Sequence, residues 1–275
     1  MSERSGQSLF LKGMLIFGFA FLYAPILSLV VYSFNASKLV TVWAGFSFKW
    51  YGELFRDQGI MDAAWVSIRI AFFTACASVV LATIASMVMT RFRPFRGKTL
   101  FGALITAPLV MPEVITGLSI LLLFVAMGMA RGMTTIWIAH VTFCVSFVAV
   151  VISSRLGELD KSIEEAAMDL GANRVQVFFQ ITLPIIAPAL VSGWLLAFTL
   201  SIDDLVVASF ASGPSSTTLP MKVFSSVRLG LSPKINALAT LLILTVSLAA
   251  GFAWWLMARD ERRRQRDMQL ALQQE

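Results

Sequence analysis

Apolar residues in this chain come in six long runs, at roughly 9–34, 66–90, 99–127, 133–154, 184–208 and 235–258. Each approaches or exceeds the ~20 residues that a helix needs to cross a bilayer at about 1.5 Å rise per residue. The pattern predicts an all-α membrane protein with six transmembrane helices. Arg4 precedes the first run and Lys12 lies at its start, as in a signal peptide. The run exceeds the ~7–15 apolar residues of such a peptide, and no small-residue cleavage site follows, so it reads as a retained helix. The segment 35–65 carries Trp43, Phe46, Phe48, Trp50, Tyr51 and Phe55, residues that favour the membrane interface. An interfacial belt is one reading, a contact for an external partner the other. Segment 209–234 has turn signals at Gly213-Pro214 and a helix start at Thr218-Leu-Pro220, predicting a short helix over 219–229. No internal repeat or low-complexity segment is present.

The polar stretch after Arg155 has its own helical pattern. Ser162 with Glu165 fits a capping box, and Ile163, Ala166, Ala167 and Leu170 share one apolar face. Glu164, Glu165 and Asp169 lie off that face, and Gly171 stands where a left-handed residue ends a helix. A second amphipathic piece follows with Val175, Phe178 and Phe179 on one side, and Pro184 suits the opening of the next membrane helix. The result is a helix–glycine–helix elbow. Amphipathicity alone leaves two readings open, a docking surface or a loop lying flat on lipid headgroups.

Composition agrees with the membrane assignment: 57% of the 275 residues are hydrophobic and 14% charged, against about 25% charged in soluble domains. The net charge of +6 does not indicate nucleic acid, because the basic residues cluster beside apolar runs and form no such motif. With the N-terminus inside, 14 Lys and Arg fall on inner segments and 7 on outer ones, with Arg69 at a boundary. That bias predicts both termini in the cytoplasm, and the tail Arg259–Arg266 reads as an anchor on anionic membrane lipid. Cys76 and Cys144 lie inside apolar runs without metal-ligand spacing. Nothing resembles a P-loop, a nucleophile–base set or a metal site, so no cofactor, no metal and no enzymatic activity are expected of this chain.

Ionisable residues within membrane helices are costly and functional by default. Glu113, Asp203 and Asp204 are the candidates. On straight helices from residue 99 and from Pro184, Glu113 would lie about 21 Å and Asp203 about 28 Å from the inner surface. Thr106, Glu113 and Gly117 fall on one stripe, and Ser192, Thr199 and Asp203 on another. Pro108 and Pro112 break the backbone ladder before Glu113, which is tolerated where protein or a cavity covers the freed carbonyls. These features predict a water-lined path with spaced carboxylates, suited to a flexible cation. An internal pair is the alternative for Glu113, and an exposed helix end or cap the alternative for the two aspartates. His140, alone in its helix, reads as a hydrogen-bonded structural residue rather than a ligand or proton relay.

Glu165-Ala-Ala, three residues, Gly171, nine residues, then Ile181-x-Leu183-Pro184 closely resembles the signature of permease subunits of binding-protein-dependent, type I ABC importers. Ala107-Pro-Leu-Val-Met-Pro-Glu113, Ser201-Ile-Asp-Asp-Leu205 and Ile235-Asn-Ala-Leu-Ala-Thr240 resemble the polyamine branch. The resemblance implies that Glu164, Glu165, Ala166, Ala167, Asp169, Gly171, Ile181, Leu183 and Pro184 couple to a cytoplasmic ATPase. It implies residues 1–65 as first helix and periplasmic loop, 66–258 as permease core with a coupling elbow at 155–184, and 259–275 as a basic cytoplasmic tail. It further implies a bacterial inner-membrane location, a second permease subunit in a heterodimer, two ATP-binding subunits that carry out hydrolysis, and a periplasmic polyamine-binding protein. The expected cargo is putrescine or a related polyamine, with Glu113, Asp203, Asp204, Thr106, Ser192 and Thr199 along its path. The alternatives are a permease for another cationic solute, a proton-coupled secondary transporter using the same acids, and a scaffold that only recruits a partner.

Overall fold

The computed structural model describes residues 2–39, 42–230 and 232–248, with residues 251, 255 and 259. The expected basic tail beyond Arg259, most of the last apolar run beyond residue 248, and Val40 and Thr41 of the aromatic loop lie outside the described residues. In chain order the helices are α1 (Ser2–Tyr32), α2 (Lys49–Arg56), α3 (Gln58–Arg91), α4 (Lys98–Val110), α5 (Glu113–Ala126), α6 (Met133–Glu158), α7 (Lys161–Asp169), α8 (Arg174–Val177), α9 (Leu183–Ile202), α10 (Val206–Ala211), α11 (Leu219–Leu229) and α12 (Pro233–Leu248). α1, α3, α6 and the continuous stretch Arg174–Ile202 are long and apolar enough to cross a membrane.

The chain divides into two compact units, one drawn from residues up to Asp57 and from Ser226 on, the other spanning Gln58–Ser225. In the first, the apolar window of α1 buries nothing. The described residues of the aromatic segment after it form a hydrogen-bonded knot. Asn35 donates to the Val42 carbonyl at 2.7 Å, accepts the Ala44 amide at 2.9 Å, and lends its own carbonyl to the indole of buried Trp50 at 2.6 Å. Phe34 stacks on Phe46 with ring centroids 5.0 Å apart. Phe46, Phe48 and Phe55 nevertheless keep more than half their surface exposed, as the belt and partner readings both require.

The second unit is built on α3, α6 and α9. α3 turns Ser67, Ala71, Ala75, Ser78, Ala82 and Ser86 inward, a face of small side chains that lets helices approach closely without a hydrophobic force between them. Ser86 uses this proximity to donate to the Ala149 carbonyl at 3.1 Å and to accept from Ser153 at 3.0 Å. Gly193 of α9 is equally constrained, since a Cβ there would stand 2.9 Å from a Val148 methyl. Both cysteines are free thiols, with Cys76 accepting the Trp194 indole N–H at 3.4 Å.

Several boundaries differ from expectation, and the run 184–208 itself breaks after Ile202 into α9 and α10. The run 99–127 is two helices, α4 and α5, bent by 116°. Pro112 pushes Met111 into an extended conformation at ψ 135°, so α4 stops at Val110 and α5 starts afresh. The straight-axis depth for Glu113 therefore does not hold, and Thr106 is on a different helix from Glu113 and Gly117. The last long span begins near Arg174 rather than at Pro184, because a π turn over Phe178–Thr182 carries the ladder past the proline: the Leu183 amide reaches back five residues to Phe178. α3 begins at Gln58, eight residues before its apolar run. The helix predicted over 219–229 is α11.

Candidate functional site

The elbow is assembled from local caps. Asp160, not Ser162, is the N-cap of α7, accepting the Ser162 amide at 2.9 Å. That bond holds the exposed Asp160 carboxyl below its usual pKa. A carboxylate at the positive end of the helix is at least as good a cap as a hydroxyl. With Asp160 as cap, the third helical residue is Ile163, so the expected Ser162–Glu165 box cannot form. At the other end Gly171 has φ +94°. Its amide reaches the Met168 carbonyl at 2.9 Å and the Ala172 amide reaches Ala167 at 3.1 Å, the paired bonds of a Schellman ending.

Two residues later a reciprocal box that sequence reasoning missed starts α8. Asn173 accepts the Gln176 amide at 2.9 Å while Gln176 accepts the Asn173 amide at 2.8 Å. Its signal, Asn-x-x-Gln just after the helix-ending glycine, was present in the sequence.

Glu164 is not free. It stands 2.9 Å from the Arg91 guanidinium at the end of α3 and accepts the Thr182 hydroxyl at 2.8 Å from the π turn. Both charged side chains are about nine-tenths buried. Arg91 also donates to the Leu159 carbonyl at 3.2 Å, just ahead of the elbow. The elbow is thus tied to α3 and to the start of the long span. Its outer face, by contrast, is uncovered: Leu170 is 90% exposed, and Ile163, Ala166, Met168, Glu165 and Asp169 are also exposed. Val177 is the buried residue of the second piece, whereas Val175 and Phe179 point outward. Ile181 and Leu183 are half-buried and Pro184 is exposed.

The membrane acids divide. Glu113 is exposed at the first turn of α5, and Asp203 is exposed at the end of α9. Ser192, Thr199 and Asp203 do form one exposed polar face of α9, the two hydroxyls bonded to their own helix at 2.9 and 2.8 Å. Thr106 is exposed on α4, bonded back to Gly102 at 3.0 Å. Asp204 is not exposed at a helix end. It is buried, 3.1 Å from Nε2 of His140, and accepts the amides of Val207 and Ala208 at 3.3 and 2.7 Å. His140 is fully buried and hydrogen-bonded, as a structural histidine should be. α5 and α10 pack together, with Gly117 so close to Phe210 that a Cβ would lie 2.6 Å from the ring. The helix that begins at Glu113 and the helix that follows the aspartate pair are therefore neighbours. No group of three or more metal-ligating side chains occurs among the described residues.

The family described as "Binding-protein-dependent transport system inner membrane component" matches residues 78–265. The chain is 64% identical, over 94% of its length and 94% of the relative's, to the "Putrescine transport system permease protein PotI" of Escherichia coli K12. It is 40% identical to the "Spermidine/putrescine transport system permease protein PotC" of the same organism, over 88% of this chain and 91% of that one. Its fold resembles a chain of a bacterial ABC transporter that imports the acidic polysaccharide alginate, with a TM-score of 0.72, 18% identity, and coverage of 91% and 97% of the two chains.

Proposed function

Because the chain belongs to the inner-membrane components of binding-protein-dependent transport systems, and is thus a permease subunit working with a binding protein, we propose that it carries putrescine or a related polyamine inward. The cargo reading rests on similarity to the two Escherichia coli polyamine permeases. In this reading the chain has six spans with both termini in the cytoplasm, pairs with a second permease, and rests on two ATP-hydrolysing subunits. The extracellular partner is a periplasmic polyamine-binding protein. Residues 1–65 form the first helix and periplasmic loop, 66–258 the core, and 259–275 a basic tail.

The observation that supports coupling through the elbow is its two-sidedness. Glu164 ties one side into the permease, while Leu170, Ile163 and Ala166 present an exposed small and apolar surface. Such a face is costly in water and suits a groove on a partner. Glu165 and Asp169 flank it. Movement of the ATPases would then be transmitted through α7 and the rigid Gly171 corner to α3 and the long span.

In this reading Glu113, Asp203, Ser192, Thr199 and Thr106 line the path, while the buried Asp204 stands outside it. Exposed carboxylates in apolar surroundings replace part of the hydration of the cationic amines. The test is ATP-driven uptake by the whole importer in proteoliposomes across putrescine, spermidine and a neutral diol. The diamine should be carried and the diol should not. Glu113→Gln and Asp203→Asn are each expected to lower diamine uptake about ten-fold, the scale of a lost charge interaction of a few kcal/mol partly screened by water. Undiminished uptake in both variants would remove the acids from the path. Uptake that continues without ATP and collapses with the proton gradient would instead establish secondary transport.

Gly171 offers a separate check on the elbow. A valine there must adopt a left-handed conformation that costs an ordinary L-residue about 1–2 kcal/mol, and more when β-branched. Gly171→Val should lower solute moved per ATP, because the corner gives up its Schellman ending. A variant with full ATP-coupled uptake would show that this corner does not transmit the stroke.

A further inference from the structure

Three buried polar side chains meet where α9 ends. His140 of α6 places Nδ1 2.7 Å from the Ser201 hydroxyl and Nε2 3.1 Å from an Asp204 carboxylate oxygen. The exposures of the three residues are 0%, 4% and 9%. Ile136 and Ala139 of α6 and Val207 and Ala208 of α10 are buried in one core cluster, and Phe143 sets its ring edge-on to the imidazole with centroids 5.6 Å apart. A carboxylate in such a place costs several kcal/mol unless paired and hydrogen-bonded. Here its oxygens take the imidazole and the amides of Val207 and Ala208, so one side chain ties α6 to the start of α10. The far end of α10 is held to the same helix, since buried Thr135 donates to the Ala211 carbonyl at 2.8 Å.

Ser201 and Asp204 both turn toward one imidazole on α6. Asp203, capping α9 between them, is left on the opposite, exposed side, in line with Thr199 and Ser192. Two adjacent aspartates thereby acquire opposite environments without any difference in local sequence chemistry. We propose that His140 is a positioning residue for transport: through Ser201 and Asp204 it fixes the break between α9 and α10 so that the Asp203 carboxylate faces the cargo. Asp204 serves as the anchor of that arrangement and does not touch the solute. The inference rests on the reading of Asp203 as part of the path.

The experiment measures solute moved per ATP hydrolysed by the intact, reconstituted importer with putrescine as probe. This ratio is insensitive to how much complex assembles, which a merely structural role would alter. His140→Leu is expected to lower the ratio about ten-fold, within the range of couplings inside one hydrogen-bonded network. His140→Gln, which retains a donor toward Asp204, should stay within about two-fold of the parent, on the same scale. If the leucine variant does not assemble, Ser201→Ala removes one hydroxyl from the set, and a fall in the ratio is again expected. Combining His140→Leu, or Ser201→Ala, with Asp203→Asn should add nothing to the effect of Asp203→Asn alone. Unchanged ratios in His140→Leu or Ser201→Ala, or effects that multiply with Asp203→Asn, overturn the inference while leaving Asp203 in the path. An Asp203→Asn importer with both undiminished putrescine uptake and the parent ratio removes Asp203 from the path and this inference with it.

Discussion

Glu164→Leu should leave an importer that hydrolyses ATP and moves little solute. The side chain is the pin between the elbow and the membrane helices, held by Arg91 at 2.9 Å and Thr182 at 2.8 Å. Removing it strands an arginine that is about nine-tenths buried. Loss of one partner from a buried pair costs about 3–5 kcal/mol, mostly from the charge left behind. The chain can relieve that cost by swinging Arg91 toward solvent, which also gives up its bond to the Leu159 carbonyl. The elbow then remains able to dock but is no longer braced against α3 and the π turn. Replacing both charges with Leu removes the stranded ion, and a pair exchanged for apolar residues is often near-neutral in stability. The double variant Arg91→Leu with Glu164→Leu should therefore melt close to the parent while still uncoupling, because the brace is absent in both. Equal melting points for the single and double variants would show that no charge is stranded. Full coupling in both would show that the brace transmits nothing.

That brace was invisible in the sequence, for a physical reason. Glu164 lies off the apolar face of α7 together with Glu165 and Asp169, and local spacing gives no means of telling the three apart. Only the meeting of helix ends 73 positions apart gives Glu164 a partner and leaves the others exposed. Asp203 and Asp204 pose the same problem more sharply, since neighbours of identical chemistry are sorted by His140 over sixty residues upstream. What local chemistry determines was legible: the left-handed Gly171, the amphipathic α7, and the helix after Thr218-Leu-Pro220. Competing local signals were harder. Asp160 and Ser162 both offer caps within one turn, and the carboxylate prevailed. In 99–127 the proline break was evident, but apolarity on both sides of it concealed a turn of 116°. Hydropathy measures burial in lipid and carries no direction. The family signature was readable at the motif because its spacing follows from caps and corners, whereas the path depends on which helices meet.

Gly213→Ala tests the packing that holds the α9–α10 region, and its effect on stability should rival that of Glu164→Leu. A Cβ built on Gly213 would sit 2.0 Å from the Arg131 carbonyl oxygen and 2.5 Å from its carbon. These are backbone atoms, so no rotamer change relieves the clash and one loop must move. Neither loop is free to do so. Gly213 is clasped by Ser216, whose buried hydroxyl accepts the Gly213 amide at 2.8 Å and donates to its carbonyl at 2.7 Å. On the other side Gly132 is bound to Thr135, the residue that also reaches the Ala211 carbonyl at the end of α10. Overpacking that forces backbone shifts costs about 1–3 kcal/mol or more, and here it also loosens a buried hydrogen bond worth about 1 kcal/mol. The purified complex should melt roughly 4–16 °C lower, taking about 2–4 °C per kcal/mol for a chain of this size. Gly52→Ala is the control: it lies within α2, where a Cβ meets nothing within 4 Å, and helix propensity predicts a gain of up to about 1 kcal/mol. Equal melting of Gly213→Ala and Gly52→Ala would mean that the two loops separate without cost. The tie between α6 and the end of α10 would then be slack, and the fixed orientation of Asp203 would have to come from the His140 side alone.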